Sequence, residues 1–229
     1  MRIGGLQKVT LIDYPGKIGA TVFTQGCNFR CPYCHNPELV DPGQYGPLIP
    51  EEEVLSFLDK RRGKLDAVTV TGGEPTIQKD LERFLEALKG MGYLVKVDTN
   101  GSNPDVLEIL INRSLVDYLA MDIKGPLKKY GVIAFVKVDT SRIRRSIELI
   151  TSSGIEHEFR TTVVRSQLAP RDLRSVAKLI AKARRYVLQP FVPTKTLDNS
   201  FLSAASYSPQ ELSTIGKNLE KDLIRVVIR

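Results

Sequence analysis

The sequence predicts an α/β protein with a partial, open (β/α)6 barrel of the TIM type and a small N-terminal hairpin. Short apolar runs rich in Val, Ile and Thr alternate six times with helical stretches, and such alternation is typical of a parallel sheet. Right-handed crossovers then curl the sheet into a barrel or place helices on both of its faces. Six units are too few to close an eight-stranded barrel. We therefore favour the open barrel over a doubly wound sheet.

The expected strands are continuous apolar runs, as buried parallel strands are. They are Gly19–Thr24, Ala67–Thr71, Leu94–Asp98, Tyr118–Ile123, Glu158–Val163 and Tyr186–Phe191. Helix start and stop signals lie between them. A first helix is expected between Pro50 and Gly63 and a second from Gln78 to Leu88. The later helices are expected to begin at Asn103, Ser141, Pro170 and Pro209, and a terminal apolar run covers Ile224–Ile228.

The whole chain, residues 1–229, is expected to form one domain. Residues 1–18 are interpreted as a β appendage with a turn at Tyr14–Gly16, residues 19–192 as the partial barrel, and residues 193–229 as a loop, helix and strand. The stretches 125–140 and 194–208 match no motif, and both are expected where a partner could dock.

Composition excludes several classes of protein. The chain is 42% hydrophobic and 26% charged, which is typical of a soluble globular protein. No apolar run approaches the ~20 residues of a membrane span, and the N-terminus lacks the apolar stretch of a signal peptide, so we expect a cytoplasmic protein. The net charge of +7 is most simply a solvated basic surface, and it also suits an anionic partner such as an acidic electron donor or an RNA. Aromatic residues do not interleave with the basic ones, so a nucleic-acid partner is not expected.

The three cysteines of the chain, Cys27, Cys31 and Cys34, lie within eight residues. An odd number in so short a loop is not a disulfide framework, and in a cytosolic protein it indicates metal binding or redox chemistry. Zinc would need a fourth ligand, for which His35 is the nearby candidate. A [4Fe–4S] cluster held by three cysteines would keep one iron open for a substrate. Three small core residues are the plainest alternative.

Other polar clusters also fall at the carboxyl ends of the expected strands. They are Gly72–Pro75, Asp98–Gly101, Asp122 with Lys124, and Gln189–Phe191, while Arg160 lies inside the fifth strand. In parallel α/β folds this edge of the sheet holds the active site. The clusters are therefore expected to converge in space although they are scattered in sequence.

The loop Cys27-x3-Cys31-x2-Cys34, with Tyr33 before the last cysteine, resembles the signature of the radical S-adenosylmethionine (SAM) enzymes. Gly72-Gly73-Glu74-Pro75 resembles the second motif of that superfamily. Finer features resemble the activating enzymes of glycyl radical enzymes, in particular those of anaerobic ribonucleotide reductases. These features are residues 5–16, 24–28, 34–37, 98–101 and 121–124.

The resemblance implies a role for each matching residue. Cys27, Cys31 and Cys34 would ligate a [4Fe–4S] cluster, and SAM would chelate its open iron. Glu74 would bind the methionine ammonium of SAM, beside Gly72 and Gly73, which allow close approach of a ligand. Further SAM contacts would come from Tyr33, Thr99, Lys124, Arg160 and Gln189, the last replacing a histidine of some relatives. Asp98, Thr99 and Asp122 would hold a monovalent cation.

The resemblance also implies the reaction and its partners. The reduced cluster would cleave SAM to methionine and a 5′-deoxyadenosyl radical, which would take a hydrogen atom from a glycine of a partner enzyme. That partner would be a glycyl radical enzyme, and the electron donor a flavodoxin or ferredoxin. The core motifs fit equally a radical SAM enzyme acting on a small molecule or nucleobase, such as a 7-carboxy-7-deazaguanine synthase. A non-enzymatic zinc or RNA-binding module is a third alternative.

Overall fold

The structure, a computed structural model, describes residues 1–221 and 225–229. Eight strands follow one another in the sheet in the order of the sequence, and the sheet is not closed. Their bounds are β1 Ile3–Thr10, β2 Gly19–Thr24, β3 Ala67–Gly72, β4 Leu94–Thr99, β5 Tyr118–Asp122, β6 Glu156–Val163, β7 Tyr186–Pro190 and β8 Val226–Ile228. The predicted open, partial barrel is therefore confirmed, and each of the six expected strands is present to within two residues.

The helices lie between the strands, as the alternating pattern predicts. Their bounds are α1 Pro37–Val40, α2 Glu51–Asp59, α3 Leu81–Gly90, α4 Pro104–Asn112, α5 Tyr130–Ala134, α6 Thr140–Ser152, α7 Pro170–Leu179 and α8 Pro209–Glu220. In the described part of the chain, no helix is both long and apolar enough to cross a membrane.

Contacts divide the chain into two compact units. Unit 1 consists of Met1–Asn28, Asn36–Thr99 and Asn103–Leu119, and unit 2 of Phe29–His35, Asn100–Ser102 and Ala120–Arg229. In unit 1, β2, β3 and β4 are parallel, and α3 buries Leu81, Phe84, Leu85 and Leu88 at helical spacing. In unit 2, β6, β7 and β8 are parallel, and α6 buries Ile143, Ile147 and Ile150. Each such side chain contributes about 2 kcal/mol when it is buried.

The N-terminal hairpin extends beyond the expected residues 1–18. β1 pairs antiparallel with β2, with Thr10 opposite Gly19, so the second arm of the hairpin is the first expected barrel strand. The turn is where the sequence placed it, because the Lys17 N–H donates to the Tyr14 carbonyl at 3.2 Å. At the other end of the chain, Val226–Ile228 forms β8, and Ile224 of the expected terminal run lies outside the described residues.

Two expected helix starts are wrong for local reasons. Asp139 caps α6, and its carboxylate accepts hydrogen bonds from the N–H and hydroxyl of Ser141; a carboxylate at this position also interacts favourably with the helix dipole. Ser141 is therefore inside the helix. The second expected helix begins at Leu81 because residues 75–77 form a separate 3-10 turn. Gln78 lies outside the helix, and its side-chain amide donates to the Gln25 backbone carbonyl at 3.0 Å.

Candidate active site

Gly72 and Gly73 lie against the backbone that leads into the first cysteine. A Cβ on Gly72 would lie 2.3 Å from the nitrogen of Thr24, and one on Gly73 would lie 2.0 Å from the oxygen of Gly26. Gly72 also has φ +117°, where side chains are disfavoured. The N–H groups of Gly73 and Glu74 donate to the Thr24 and Gly26 carbonyls, each at 2.8 Å. The sequence suggested that the glycines admit a ligand, and the structure places the chain's own backbone against them.

Glu74 is buried and held in one orientation. Its Oε1 accepts hydrogen bonds from the Thr76 N–H at 3.1 Å, the Thr76 hydroxyl at 2.5 Å and the Thr99 hydroxyl at 2.7 Å. The N–H contact caps the 3-10 turn that follows Glu74. Thr99 stands at the end of β4, so the structure brings two predicted site residues together. Thr76 was not predicted, although a threonine two residues after a carboxylate is a capping signal.

Lys96 is a buried residue of β4, two residues before Asp98, and no sequence motif predicted its role. It is 2% exposed, and its Nζ lies 2.9 Å from Oδ1 of Asp98 and donates to the Asp13 carbonyl at 2.6 Å. The Asp13 carboxylate in turn accepts a hydrogen bond from the Thr21 hydroxyl at 2.6 Å. Lys96 thus joins the end of β4 to the turn after β1. A lysine inside an apolar strand, two residues from an aspartate on the same face, is the signal that could have found it.

In unit 2, backbone hydrogen bonds hold the cysteine loop. The Cys34 N–H donates to the Cys31 carbonyl at 3.0 Å, which closes a turn between the two thiols. The Arg30 N–H donates to the carbonyl of Ala134, the last residue of α5, at 2.9 Å. The side chain of Phe29 packs edge-on against Tyr130, also in α5, with ring centroids 6.5 Å apart.

The segment 194–208 also contacts this loop. The N–H of Leu197 donates to the Cys34 carbonyl at 3.0 Å, and that of Asp198 donates to the Pro32 carbonyl at 2.9 Å. Tyr33 is buried between the rings of Phe191 and Phe201, at centroid distances of 6.4 and 6.5 Å. Burial raises the pKa of Tyr33 well above its usual value, so its hydroxyl stays neutral.

Asp122, Lys124 and Arg160 form one charged cluster. Oδ1 of Asp122 accepts from Nε of Arg160 at 2.8 Å, and its Oδ2 accepts from Nζ of Lys124 at 3.1 Å. Burial disfavours the charged carboxylate, but Arg160 and Lys124 outweigh it and hold the pKa of Asp122 well below its usual value. Burial opposes the charge on Lys124 as well, yet Asp122 holds the pKa of Lys124 well above its usual value. All three side chains are therefore ionised at neutral pH.

The charges of Lys124 and Asp122 act on the pKa of Cys31. Burial raises the pKa of the Cys31 thiol, and the positive charge of Lys124 acts in the opposite direction. A free thiol at this position is therefore protonated near neutral pH, and a metal centre must displace that proton.

The remaining predicted residues are placed as follows. Gln189 is half-buried, one residue before the end of β7, and lies opposite Thr162 of β6. His35 uses Nε2 in a 2.8 Å contact with the Val192 carbonyl and stacks on Phe191. Asp98 and Cys27 belong to unit 1 whereas Asp122, Cys31 and Cys34 belong to unit 2, so the expected pairing of the two aspartates and the convergence of the three thiols stay predictions.

The donor chemistry fits an iron–sulfur cluster. All three cysteines are free thiols, and thiolates are the usual ligands of such clusters. Within residues 1–221 and 225–229, no three His, Cys, Asp or Glu side chains are grouped closely enough to hold one metal ion. A four-iron cluster takes each thiolate on a separate iron, so its ligands need not meet at one point.

A family model described as the radical SAM superfamily matches residues 21–183. The chain belongs to this superfamily. It is a radical SAM enzyme, whose cofactors are a [4Fe–4S] cluster and SAM.

Individual proteins show the same relationship. A Methanocaldococcus jannaschii protein, provisionally named a glycyl-radical enzyme activating enzyme, is 34% identical over 232 residues, covering 99% of this chain and 95% of that protein. The 7-carboxy-7-deazaguanine synthase of Clostridium acetobutylicum is 28% identical over 156 residues, covering 61% of this chain and 69% of the synthase. The crystal structure of Streptococcus suis SuiB bound to S-adenosylmethionine has a TM-score of 0.69 at 14% identity, covering 89% of this chain and 48% of SuiB. The likeness to SuiB shows the fold alone.

Proposed function

We propose that this chain is a cytoplasmic activase that generates a glycyl radical on a partner enzyme, specifically an anaerobic ribonucleotide reductase. The similarity to a provisionally named activating enzyme across 99% of this chain carries the proposal. The opening residues 5–16 support it too, because they resemble the start of ribonucleotide reductase activases.

In this proposal Cys27, Cys31 and Cys34 ligate the cluster. When bound and reduced, the cluster would supply one electron for the cleavage of SAM to methionine and a 5′-deoxyadenosyl radical, and that radical would take a hydrogen atom from the partner's glycine. The chain's own residues would bind and orient SAM and shield the site from water. The burial of Cys31 and Tyr33 supports this role, because both side chains are less than a tenth exposed and keep water away from that side of the loop.

Glu74 would bind the ammonium of SAM beside Gly72 and Gly73. The hydrogen bonds from Thr76 and Thr99 fix its carboxylate before the ligand arrives, which lowers the entropic cost of binding. An ionised carboxylate and an ammonium form a charge-assisted contact, about twice as strong as a neutral hydrogen bond.

Lys124 and Arg160 would bind the SAM carboxylate, because both side chains are positively charged and Asp122 positions them through ion pairs. Tyr33 and Gln189 would contact the adenosine part of SAM. Asp98, Thr99 and Asp122 would hold a monovalent cation near the methionine. That cation must compete with Lys96 at Asp98 and with Lys124 and Arg160 at Asp122. The electron donor in this proposal is a flavodoxin or ferredoxin.

The rival function is a radical SAM enzyme that modifies a small molecule or nucleobase. The similarity to a 7-carboxy-7-deazaguanine synthase favours it. That similarity covers 61% of this chain, so it supports a shared core more than a shared substrate.

The test uses the whole chain, reconstituted anaerobically with iron and sulfide. The protein is mixed with dithionite, SAM and an anaerobic ribonucleotide reductase, and electron paramagnetic resonance detects a glycyl radical. The expected result is a carbon-centred radical on the reductase together with 5′-deoxyadenosine, both lost in the Cys34→Ala variant. Formation of 5′-deoxyadenosine without a radical on any glycyl radical enzyme offered would contradict the proposed target. Formation of 7-carboxy-7-deazaguanine by the reconstituted chain would establish the rival.

A further inference from the structure

The segment Leu127–Lys137, called here the α5 segment, has two chemically different faces. Its inner face is buried and consists of Tyr130, Ile133 and Ala134. Its outer face presents two large apolar side chains to solvent, Val132 at 77% and Phe135 at 70% exposure. Two large apolar side chains so close in sequence and so exposed suggest a surface that another molecule covers.

Phe135 occupies a backbone conformation that a phenylalanine rarely adopts. It ends α5 with φ +54° and ψ +33°, in the left-handed region, and a bulky residue there is a genuine outlier. Glycine or asparagine is usual at this position of a helix end. Strained residues persist where the surrounding structure fixes them, and they concentrate at functional sites. The ring at this strained position is 70% exposed, so burial in the core does not account for the strain.

The inner face connects the α5 segment to the cysteine loop. The carbonyl of Ala134, directly before Phe135, accepts the Arg30 N–H at 2.9 Å, and Tyr130 packs on Phe29. The Tyr130 hydroxyl also accepts the Lys124 N–H at 3.2 Å. A molecule that covered Phe135 would therefore be one residue from a backbone contact of the loop that carries Cys31.

The exposed charges of the α5 segment are positive. Lys128 and Lys137 are exposed, and neither forms an ion pair with any residue that the structure describes. Lys129 is paired with Asp172 at 2.6 Å. The nearest acid along the chain, Asp139, is used as the cap of α6. The α5 segment thus combines two exposed apolar side chains with exposed positive charges, a composition that suits a small, transient protein interface.

We propose that the outer face of the α5 segment docks the acidic one-electron carrier that reduces the cluster. Its positive rim complements an acidic protein, and its backbone contact with the cysteine loop brings the carrier to the group that must receive the electron. The carrier is oxidised by one electron, the cluster is reduced by one, and no bond forms between the two. The inference rests on the cluster and not on the proposed glycine target.

The first test removes the ring and relieves the backbone strain in one substitution. In Phe135→Gly the left-handed conformation suits the new residue, so the melting temperature of the cluster-free chain should stay equal or rise by about 2–4 °C. Binding of oxidised flavodoxin, measured by calorimetry, should weaken about tenfold, as for a central aromatic anchor. Reduction of the reconstituted cluster by photoreduced flavodoxin should slow in parallel, whereas reduction by dithionite should not change.

The second test concerns charge. Lys128→Glu/Lys137→Glu should slow reduction by flavodoxin about tenfold at low salt and remove most of its salt dependence. The matched control is Lys60→Glu/Lys64→Glu, which changes the net charge equally through two exposed lysines of unit 1. For the apolar anchor the control is Leu48→Ser, at a side chain 44% exposed in unit 1. Both controls should behave as the wild type.

Several outcomes would overturn the proposal. One is unchanged flavodoxin binding and reduction in Phe135→Gly and the double lysine variant. Another is equal loss in the matched controls, which would show a general effect of net charge. A third is a normal rate with flavodoxin but a weaker glycyl radical signal with dithionite, which would assign the face to the glycyl radical enzyme. Absence of any glycyl radical in the wild type would refute only the proposed function.

Discussion

Gly73→Ala is a substitution for which the structure predicts a large local effect. A Cβ at this position would lie 2.0 Å from the carbonyl oxygen of Gly26 and 2.6 Å from its carbon. Neither atom can move as a flexible side chain would, because both belong to the backbone directly before Cys27. The two segments must separate by about 1 Å to restore ordinary contact distances.

The expected cost follows from what that separation breaks. The N–H groups of Gly73 and Glu74 donate across the gap at 2.8 Å, and each such hydrogen bond contributes about 1 kcal/mol. Overpacking adds about 1–3 kcal/mol. The free energy of unfolding should therefore fall by about 3–5 kcal/mol. The matched control is Gly90→Ala, since a Cβ at the end of α3 meets nothing within 4 Å.

Urea denaturation of the cluster-free chain measures the stability of both variants, and iron content after anaerobic reconstitution measures the effect on the cluster. Gly73→Ala should be strongly destabilised and bind less iron, because the displaced backbone carries Cys27. Gly90→Ala should match the wild type or be slightly more stable. If the two variants were equally stable and bound equal iron, the close approach of residues 24–26 to the Gly72–Glu74 turn would be refuted.

Two further substitutions test the buried charges. Lys96→Met removes the lysine of the Lys96–Asp98 ion pair, whose side chains are 2% and 12% exposed, so the free energy of unfolding should fall by about 3 kcal/mol. The double variant Lys96→Met/Asp98→Asn should recover most of that loss in the same urea assay. If it recovered none, the pairing of Lys96 with Asp98 would be contradicted. Asp122→Asn removes the carboxylate whose pKa Arg160 and Lys124 lower. A lowered pKa gives stability that is complete above about pH 4 and is lost as the pH falls further. The wild type should therefore lose more melting temperature than Asp122→Asn between about pH 6 and pH 3, and parallel curves would contradict this.

The six expected strands were predictable because each is a largely buried apolar run, and the polar clusters at their ends follow from the edge rule for parallel sheets. Asp122 lies beside Lys124, as their spacing along the strand suggests, whereas the contact of Thr99 with Glu74 was not expected from the sequence. Lys96 escaped prediction, since a lysine in an apolar strand gives no indication of which backbone carbonyl it will reach. The contact of Gly73 with the Gly26 backbone was not predicted either, because a glycine in a sequence indicates that some group approaches closely without indicating which group.

The stretches that matched no motif turn out to hold the cysteine loop through backbone atoms. Ala134 accepts from Arg30, while Leu197 and Asp198 donate to the carbonyls of Cys34 and Pro32. A backbone N–H or carbonyl is present in almost every residue type, so such contacts leave no residue signature in a sequence. Motifs therefore reveal the chemistry of this enzyme, whereas many contacts that hold its cysteine loop come from stretches without a motif.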